Sequence, residues 1–379
     1  MNVEQLLIST SNQSSTVFQH SGFDAQKATL VLAFGQRTLL EDARPFTFLK
    51  SKYPNAQIVI CSSSGQISNQ CVIEDDIVAT AIQFEKTQVK ATVVDIISNA
   101  NLPDLGTQIK NDLGADDLKG ILVLSEGSKV NGTELIEELI GKTNKEIPIF
   151  GGLAGDEYHF EKTIVGLNQD ASAGKIVAIG FYGQNICFGF GSEGGWGDFG
   201  PEREVTQSHK NVLYKIGDRH ALDLYKDYLG KYADELPGSS LYFPLSMREK
   251  DSNTSVVRTI LSIDEENKSM TFAGNLPEGS SVRLMKANTD RLIEASAQAA
   301  VKAQNKVSAH QLALLVSCVG RRIVLDDRVE EELEIVKDTF GQATILCGFY
   351  SYGEISPTLD HVACELHNQT MTIATMFEL

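Results

Sequence analysis

Residues 312–356 read LALLVSCVGRR (312–322), then DDRVEEELEIVKDTFG (326–341), then TILCGFYSYGEIS (344–356). The first run is apolar without alternation and ends at Gly320, as a strand covered on both faces does. In the second, Val329, Leu333, Val336 and Phe340 recur at helical spacing behind Asp326 and Asp327, which predicts a helix. The third run returns to Val/Ile/Phe-type strand composition and closes on Gly353. Together they make one strand–helix–strand unit.

Working outward, the same layout occurs twice more. ATLVLAFG (28–35) leads through an amphipathic stretch to AQIVICSSSGQIS (56–68). LKGILVLSEG (118–127) leads through GTELIEELIGKTNK to IPIFGGLAGDEY (147–158). In each unit the two closing glycines stand roughly thirty residues apart, the length of one such unit. Further strands are expected at 76–84, 162–168, 174–183 and 362–377. The fold class is therefore α/β (mixed α+β), with repeated strand–helix–strand units closing into mixed sheets and two domains. FGSEGGWGDFGP (190–201) is the clearest break in composition and carries the single Trp. The domain boundary is expected within 200–235. A helix is expected over 217–236 on a stripe of Leu222, Tyr225, Leu229 and Tyr232, and a surface helix over 288–306.

The charge balance, 33 basic against 50 acidic residues, gives −17. A surface that negative repels phosphate backbones, so no nucleic acid partner is expected. No apolar run is long enough for a membrane span. The N-terminus lacks the marks of a secretion signal. Six scattered cysteines with no CxxC fit reduced thiols and a cytoplasmic location.

No strong catalytic motif is present, and no enzymatic activity is expected; Cys318 and Cys364 are the cysteines weighed as nucleophiles. Gly189-Phe190-Gly191-Ser192-Glu193-Gly194 matches GxGxxG, but Gly195-Trp196-Gly197 follows where a nucleotide fold needs a helix. Cys364 and His367 lie three apart on a strand, hence on opposite faces, which disfavours chelation. Gly151-Gly152 through Asp156 reads either as a close approach to a ligand or as a bulge. Tyr350, Tyr352 and Glu354, placed on one face by alternation, read either as a polar pocket wall or as sheet packing. Arg321 and Arg322 follow the carboxyl end of a strand, where ligands bind in open α/β sheets, and one guanidinium of the pair is a candidate carboxylate clamp. An amino acid would suit these groups, its carboxylate on Arg and its amine on Glu354. Seven histidines (20, 159, 209, 220, 310, 361, 367) are available to a metal, with His20 and His310 read as surface residues.

Six strings carry a family resemblance: FGGLAGD (150–156), VAIGFYG (177–183), NVLYKIGDRHALDLYKDYLG (211–230), SCVGRRIVL (317–325), GFYSYGEIS (348–356) and CELHNQTMTIAT (364–375). Together they resemble the FIST family of bacterial signal-transduction sensors. The resemblance implies a leader over 1–27, a FIST N-terminal sensory domain over 28–215 and a FIST C-terminal domain over 216–379. It also implies a sensor that binds a small ligand and regulates a sensor histidine kinase or a cyclic-di-GMP enzyme, and it allows a homodimer. A similar subset, the NosP group, is regarded as haem-binding and nitric-oxide-sensing, which makes haem the expected cofactor and His209, His220 and His367 the candidate iron ligands. His220 stands where the family commonly has Pro, and His209 is a second departure. His367 belongs to the shared HNQT string.

Overall fold

The computed structural model describes the chain except residues 97–101, 129, 143–146, 251, 253, 305–311 and 358–363. Its core is the three expected units, each the centre of its own six-stranded sheet. Leu30–Gly35 pairs in parallel with Gln57–Ser62, Leu118–Ser125 with Ile149–Leu153, and Leu312–Cys318 with Ile345–Ser351. Helices cross between each pair, as a parallel connection requires. They are Arg37–Ala43 with Phe46–Lys52, Gly132–Lys142, and Val319–Leu325 with Val329–Phe340. A returning antiparallel strand follows in every unit: Ile77–Gln83, Lys175–Tyr182 and Met371–Glu378.

The fourth position in each sheet is filled by exchange. After its second parallel strand, the first unit sends Gln66–Ser68 into the third unit's sheet. The third sends Gly353–Pro357 into the second's, and the second sends Val165–Leu167 into the first's. The loops that make these crossings converge at one end of the core. Ser64 N donates to Tyr350 O, Gly155 N to Ser62 O and Tyr352 N to Leu153 O.

Inner faces of the three sheets share one apolar centre, including Leu32, Phe34, Leu124, Phe150, Leu314 and Phe349. Phe34 stacks on Phe349 with ring centres 4.6 Å apart. The outer faces lie under helices: Leu49 and Tyr53, Leu135 and Leu139, Leu333 and Val336 are all buried there. Both faces of the central strands are thus dry, which is why they read as unbroken apolar runs.

Residues 1–27 are not a leader outside the domain. Asn2–Ile8 pairs with Ile77–Gln83, and Ser14–Gln19 pairs with Asn2–Ile8. Polar residues disguised this strand: Glu4 is buried against the Tyr53 hydroxyl, and Gln5 donates to Thr80 Oγ1 and Leu346 O. His20, half-buried, accepts from Val3 N through Nδ1.

An inserted module, running from Gly197 to Lys286, folds as an eight-stranded antiparallel sheet. It covers Ala221–Leu229, whose Leu222, Tyr225 and Leu229 are buried, while Tyr232 lies beyond the helix and is exposed. The expected division at 215/216 falls within this sheet, inside the strand Val212–Ile216, whose Lys215 and Ile216 pair with His220 and Arg219. The helix expected on the surface, Thr289–Ala303, instead buries Leu292, Ala299, Ala300 and Ala303. Its small residues allow close approach to the GxGxxG string: a Cβ on Gly191 would lie 2.0 Å from Ala299 O, and one on Gly189 2.2 Å from Ala303 O. Those glycines serve helix-on-sheet packing rather than a nucleotide.

Candidate functional site

The short helix Val319–Leu325 starts at the carboxyl end of Leu312–Cys318 and turns Arg321 and Arg322 in different directions. Arg321 points inward and is fully buried. Its Nη2 donates to Glu332 Oε2 at 2.9 Å, Leu292 O at 2.7 Å and Ser296 Oγ at 2.8 Å, while Nη1 donates to Gly194 O at 2.6 Å. Glu332 also accepts from Ser317 Oγ and from the Tyr350 hydroxyl at 2.7 Å. Every partner is internal, so Arg321 and Tyr350 are structural and leave no donor for a ligand.

Arg322 faces a cleft of about 940 Å³ between the core and the inserted module. Its guanidinium donates to Ser64 O and to the Glu74 carboxylate, and lies 5.6 Å from the Tyr158 ring centre and 5.9 Å from that of Tyr350. One wall carries Tyr158, His159 and Phe160; another, from the inserted module, carries Leu241, Tyr242, Ile260 and Leu261. Asp326 and Asp327, where the helix of Arg322 ends, stand exposed on the rim. The cleft thus presents a cation, aromatic and aliphatic walls, and carboxylates.

Tyr350, Tyr352 and Glu354 do not share a face. Strand alternation holds only within one sheet, and the chain leaves the third sheet at Ser351 to enter the second at Gly353. Tyr352 sits at the crossing, donates to Asp156 and stacks on Phe160 at 4.5 Å with 13° between planes. Asp156 is buried and accepts from Phe160 N, Glu161 N and Lys162 N at 2.9, 3.0 and 2.8 Å. Both residues therefore position the loop that carries the aromatic wall, without touching the cleft themselves. Gly152 is packing: a Cβ there would lie 2.7 Å from Val316 Cγ1. Gly151 holds φ of 135°, accessible to glycine alone at little strain.

Glu354 is fully buried and accepts from Ser351 Oγ at 2.7 Å and from Thr370 Oγ1 at 3.0 Å. Burial outweighs these bonds and pushes its carboxyl up to about 8. It is closed to the cleft and does not line it, so it cannot meet a ligand amine there. Burial also pushes the Cys318 and Cys364 thiols far up, so neither offers a thiolate near neutrality.

The three candidate haem ligands lie apart. His209 and His220 are exposed on the inserted module, on Gly197–His209 and Arg219–His220. His367 is half-buried at the end of the edge strand Cys364–His367; desolvation and nearby Arg258 press its imidazole down to about 4, and its buried Nε2 has no partner among the described residues. None of the three lines the cleft, so the residues named for iron do not fit a haem there. His159 does line it, with Nε2 3.5 Å from Glu157 Oε2. His310 and His361 lie outside the described residues. Among the described residues no group of three or more His, Cys, Asp or Glu is arranged to hold a metal ion, and no helix is long and apolar enough to cross a membrane.

Of the expected site, only Arg322 reaches the cleft. Sequence reasoning missed Glu74, the Tyr158–Phe160 wall, the module's apolar wall and the place of Asp326 and Asp327 on the cleft rim. The one available signal was DEYHF (156–160), two aromatics and a histidine directly after a strand-end glycine.

Two family models match the sequence, the FIST N domain over residues 29–219 and the FIST C domain over residues 221–357. No curated protein matches it. Among solved structures, the crystal structure of cyanuric acid hydrolase from A. caulinodans is similar at 7% identity and TM-score 0.35, over 99% of this chain and 98% of that one. A likeness that distant carries no argument.

Proposed function

Because the chain belongs to the FIST family of sensory domains in signal transduction, we propose that it senses a small amino-acid-like ligand held in the Arg322 cleft. The observation that carries this reading is the pairing of opposite charges across one cleft: the Arg322 guanidinium within it, and the Asp326 and Asp327 carboxylates on its rim. A ligand carboxylate is met by the guanidinium and its ammonium by the aspartates, while its apolar part lies against Tyr158, Phe160 and Tyr242. The walls come from both the core and the inserted module. A ligand that touches both favours one arrangement of the two over others, which is the differential contact a sensor needs. The output is then read by a protein partner, a histidine kinase or a cyclic-di-GMP enzyme, and the chain acts as a sensor rather than an enzyme.

Thermal unfolding of the full chain against a panel of L-amino acids tests this. The expected result is stabilisation by at least one of them, abolished by Arg322→Ala and reduced by Asp326→Asn with Asp327→Asn. Stabilisation indifferent to Arg322→Ala overturns the cleft as the site. A haem and nitric-oxide reading rests here on His159, the one imidazole on this cleft among the described residues. Added hemin giving a Soret band that His159→Ala removes and nitric oxide shifts puts that reading in place of the amino acid.

A further inference from the structure

The carboxylate on Arg322 is already supplied by the chain. Glu74 lies in the turn after the short strand Cys71–Ile73, lines the cleft and pairs with Arg322 Nη2. The two partners differ in surroundings: the Arg322 side chain is 9% exposed and Glu74 is 53% exposed. Water competes for Glu74 and barely for Arg322, so the acid is the replaceable half of the pair. We propose that Glu74 is an internal competitor for the ligand's carboxylate, and that the ligand takes its place on Arg322 and releases the edge segment 71–76. This rests on the cleft being the ligand site.

The segment is suited to release. Cys71–Ile73 pairs on one side only, with Gln66–Ser68, and none of its residues is fully buried. Apart from that ladder it is held by Val72 N donating to Glu330 Oε1 at 3.2 Å, by Gln66 Nε2 donating to Glu74 O at 3.5 Å and to Asp76 O at 2.9 Å, and by Val72 packing half-buried beside Leu333 and Val336. Gln66–Ser68 itself is the strand exchanged from the first unit into the third unit's sheet. A change at Glu74 therefore acts where two units are joined, beside the last strand at one edge of the third unit's sheet. Gly65, beside it, holds φ of 132°, and a Cβ there would stand 3.0 Å from Arg322 Nη1, so the guanidinium is fixed against the loop while the acid is not.

Cys71 provides a native reporter, being exposed on this segment while Cys61, Cys318, Cys347 and Cys364 are buried. With Cys187→Ser to remove the half-buried thiol, a nitroxide on Cys71 reads the segment's mobility in the full chain. Glu74→Ala and Arg322→Ala are each expected to shift the spectrum toward faster motion without any addition. A mixture of the common L-amino acids is expected to shift the unsubstituted background the same way, leave Glu74→Ala unmoved, and bind Glu74→Ala several-fold more tightly. Spectra of both variants identical to the background overturn the proposal. Stabilisation by the mixture with no movement of the label overturns this proposal alone. A mixture that neither stabilises nor moves the label overturns the amino-acid reading of the cleft and this competitor role with it.

Discussion

Arg321 and Arg322 are consecutive on one short helix, and their surroundings differ completely. Arg321 is enclosed by Glu332, Ser296 and two backbone carbonyls from separate elements. Arg322 has an aromatic face on each side, one backbone carbonyl and a carboxylate that water also reaches. Successive helical residues point about 100° apart, so one turn at a strand end reaches both the core and the solvent. A buried charge must be saturated to be tolerated. A recognition charge must keep a partner that can be exchanged. The same side-chain chemistry serves both needs here, and only the neighbours decide which.

Substitution breaks this comparison most sharply at the enclosed member. Arg321→Ala leaves Glu332 buried with a charge and no cation, and is expected to cost about 3–5 kcal/mol. Arg322→Ala removes a pairing that is partly solvated and is expected to cost about 1 kcal/mol. Denaturant unfolding of the two variants measures the difference. Equal losses would mean that Arg322 is as structural as its neighbour, and the cleft would lose its ligand anchor.

That difference was invisible in the dipeptide RR, although the strand end that presents it was not. Periodicity found all three strand–helix–strand units because their central strands are dry on both faces and their helices have one apolar stripe. It missed Asn2–Ile8, where Glu4 and Gln5 are buried with partners that arrive from residues 53, 80 and 346. It put Tyr350, Tyr352 and Glu354 on one face because alternation carries no sign that a chain has changed sheets. The cleft was out of reach for a related reason: its walls come from residues 74, 158–160, 241–242, 260–261, 322–323 and 326–327, which only the strand exchange and the inserted module bring together.

The enclosed side also differs from the cleft in titrating against folding. Glu354, with its carboxyl at about 8, stabilises the fold in its neutral form. That contribution is complete below its unfolded value of about 4.3 and is lost as pH rises through 8. His367, at about 4, stays neutral in the fold, so its contribution is present above about 6.5 and lost as pH falls toward 4. Between about 4.3 and 6.5 the two slopes oppose and cancel. From pH 6.5 to 8 only the Glu354 slope remains, and stability is expected to fall by about 2 kcal/mol. Urea unfolding at pH 5, 6.5 and 8 checks this. Glu354→Gln is expected to flatten the upper limb, and His367→Gln to start the decline near pH 4.3. A profile unchanged in Glu354→Gln would place the titrating group elsewhere.

Tyr352 joins the two regions and gives the most discriminating effect. Its ring stacks on Phe160 of the cleft wall, and its hydroxyl reaches Asp156, which in turn holds three backbone N–H groups of the same loop. Tyr352→Phe keeps the stack and removes the hydroxyl alone. Asp156 retains its backbone donors, so the expected loss is about 1 kcal/mol. Hydrogen exchange should quicken within residues 157–162 and stay unchanged around Arg321 and Glu332. Exchange that quickens in both places would mean that the loop and the enclosed network unfold as one unit. The cleft wall would then be part of the rigid core, and a ligand would have to move the inserted module instead.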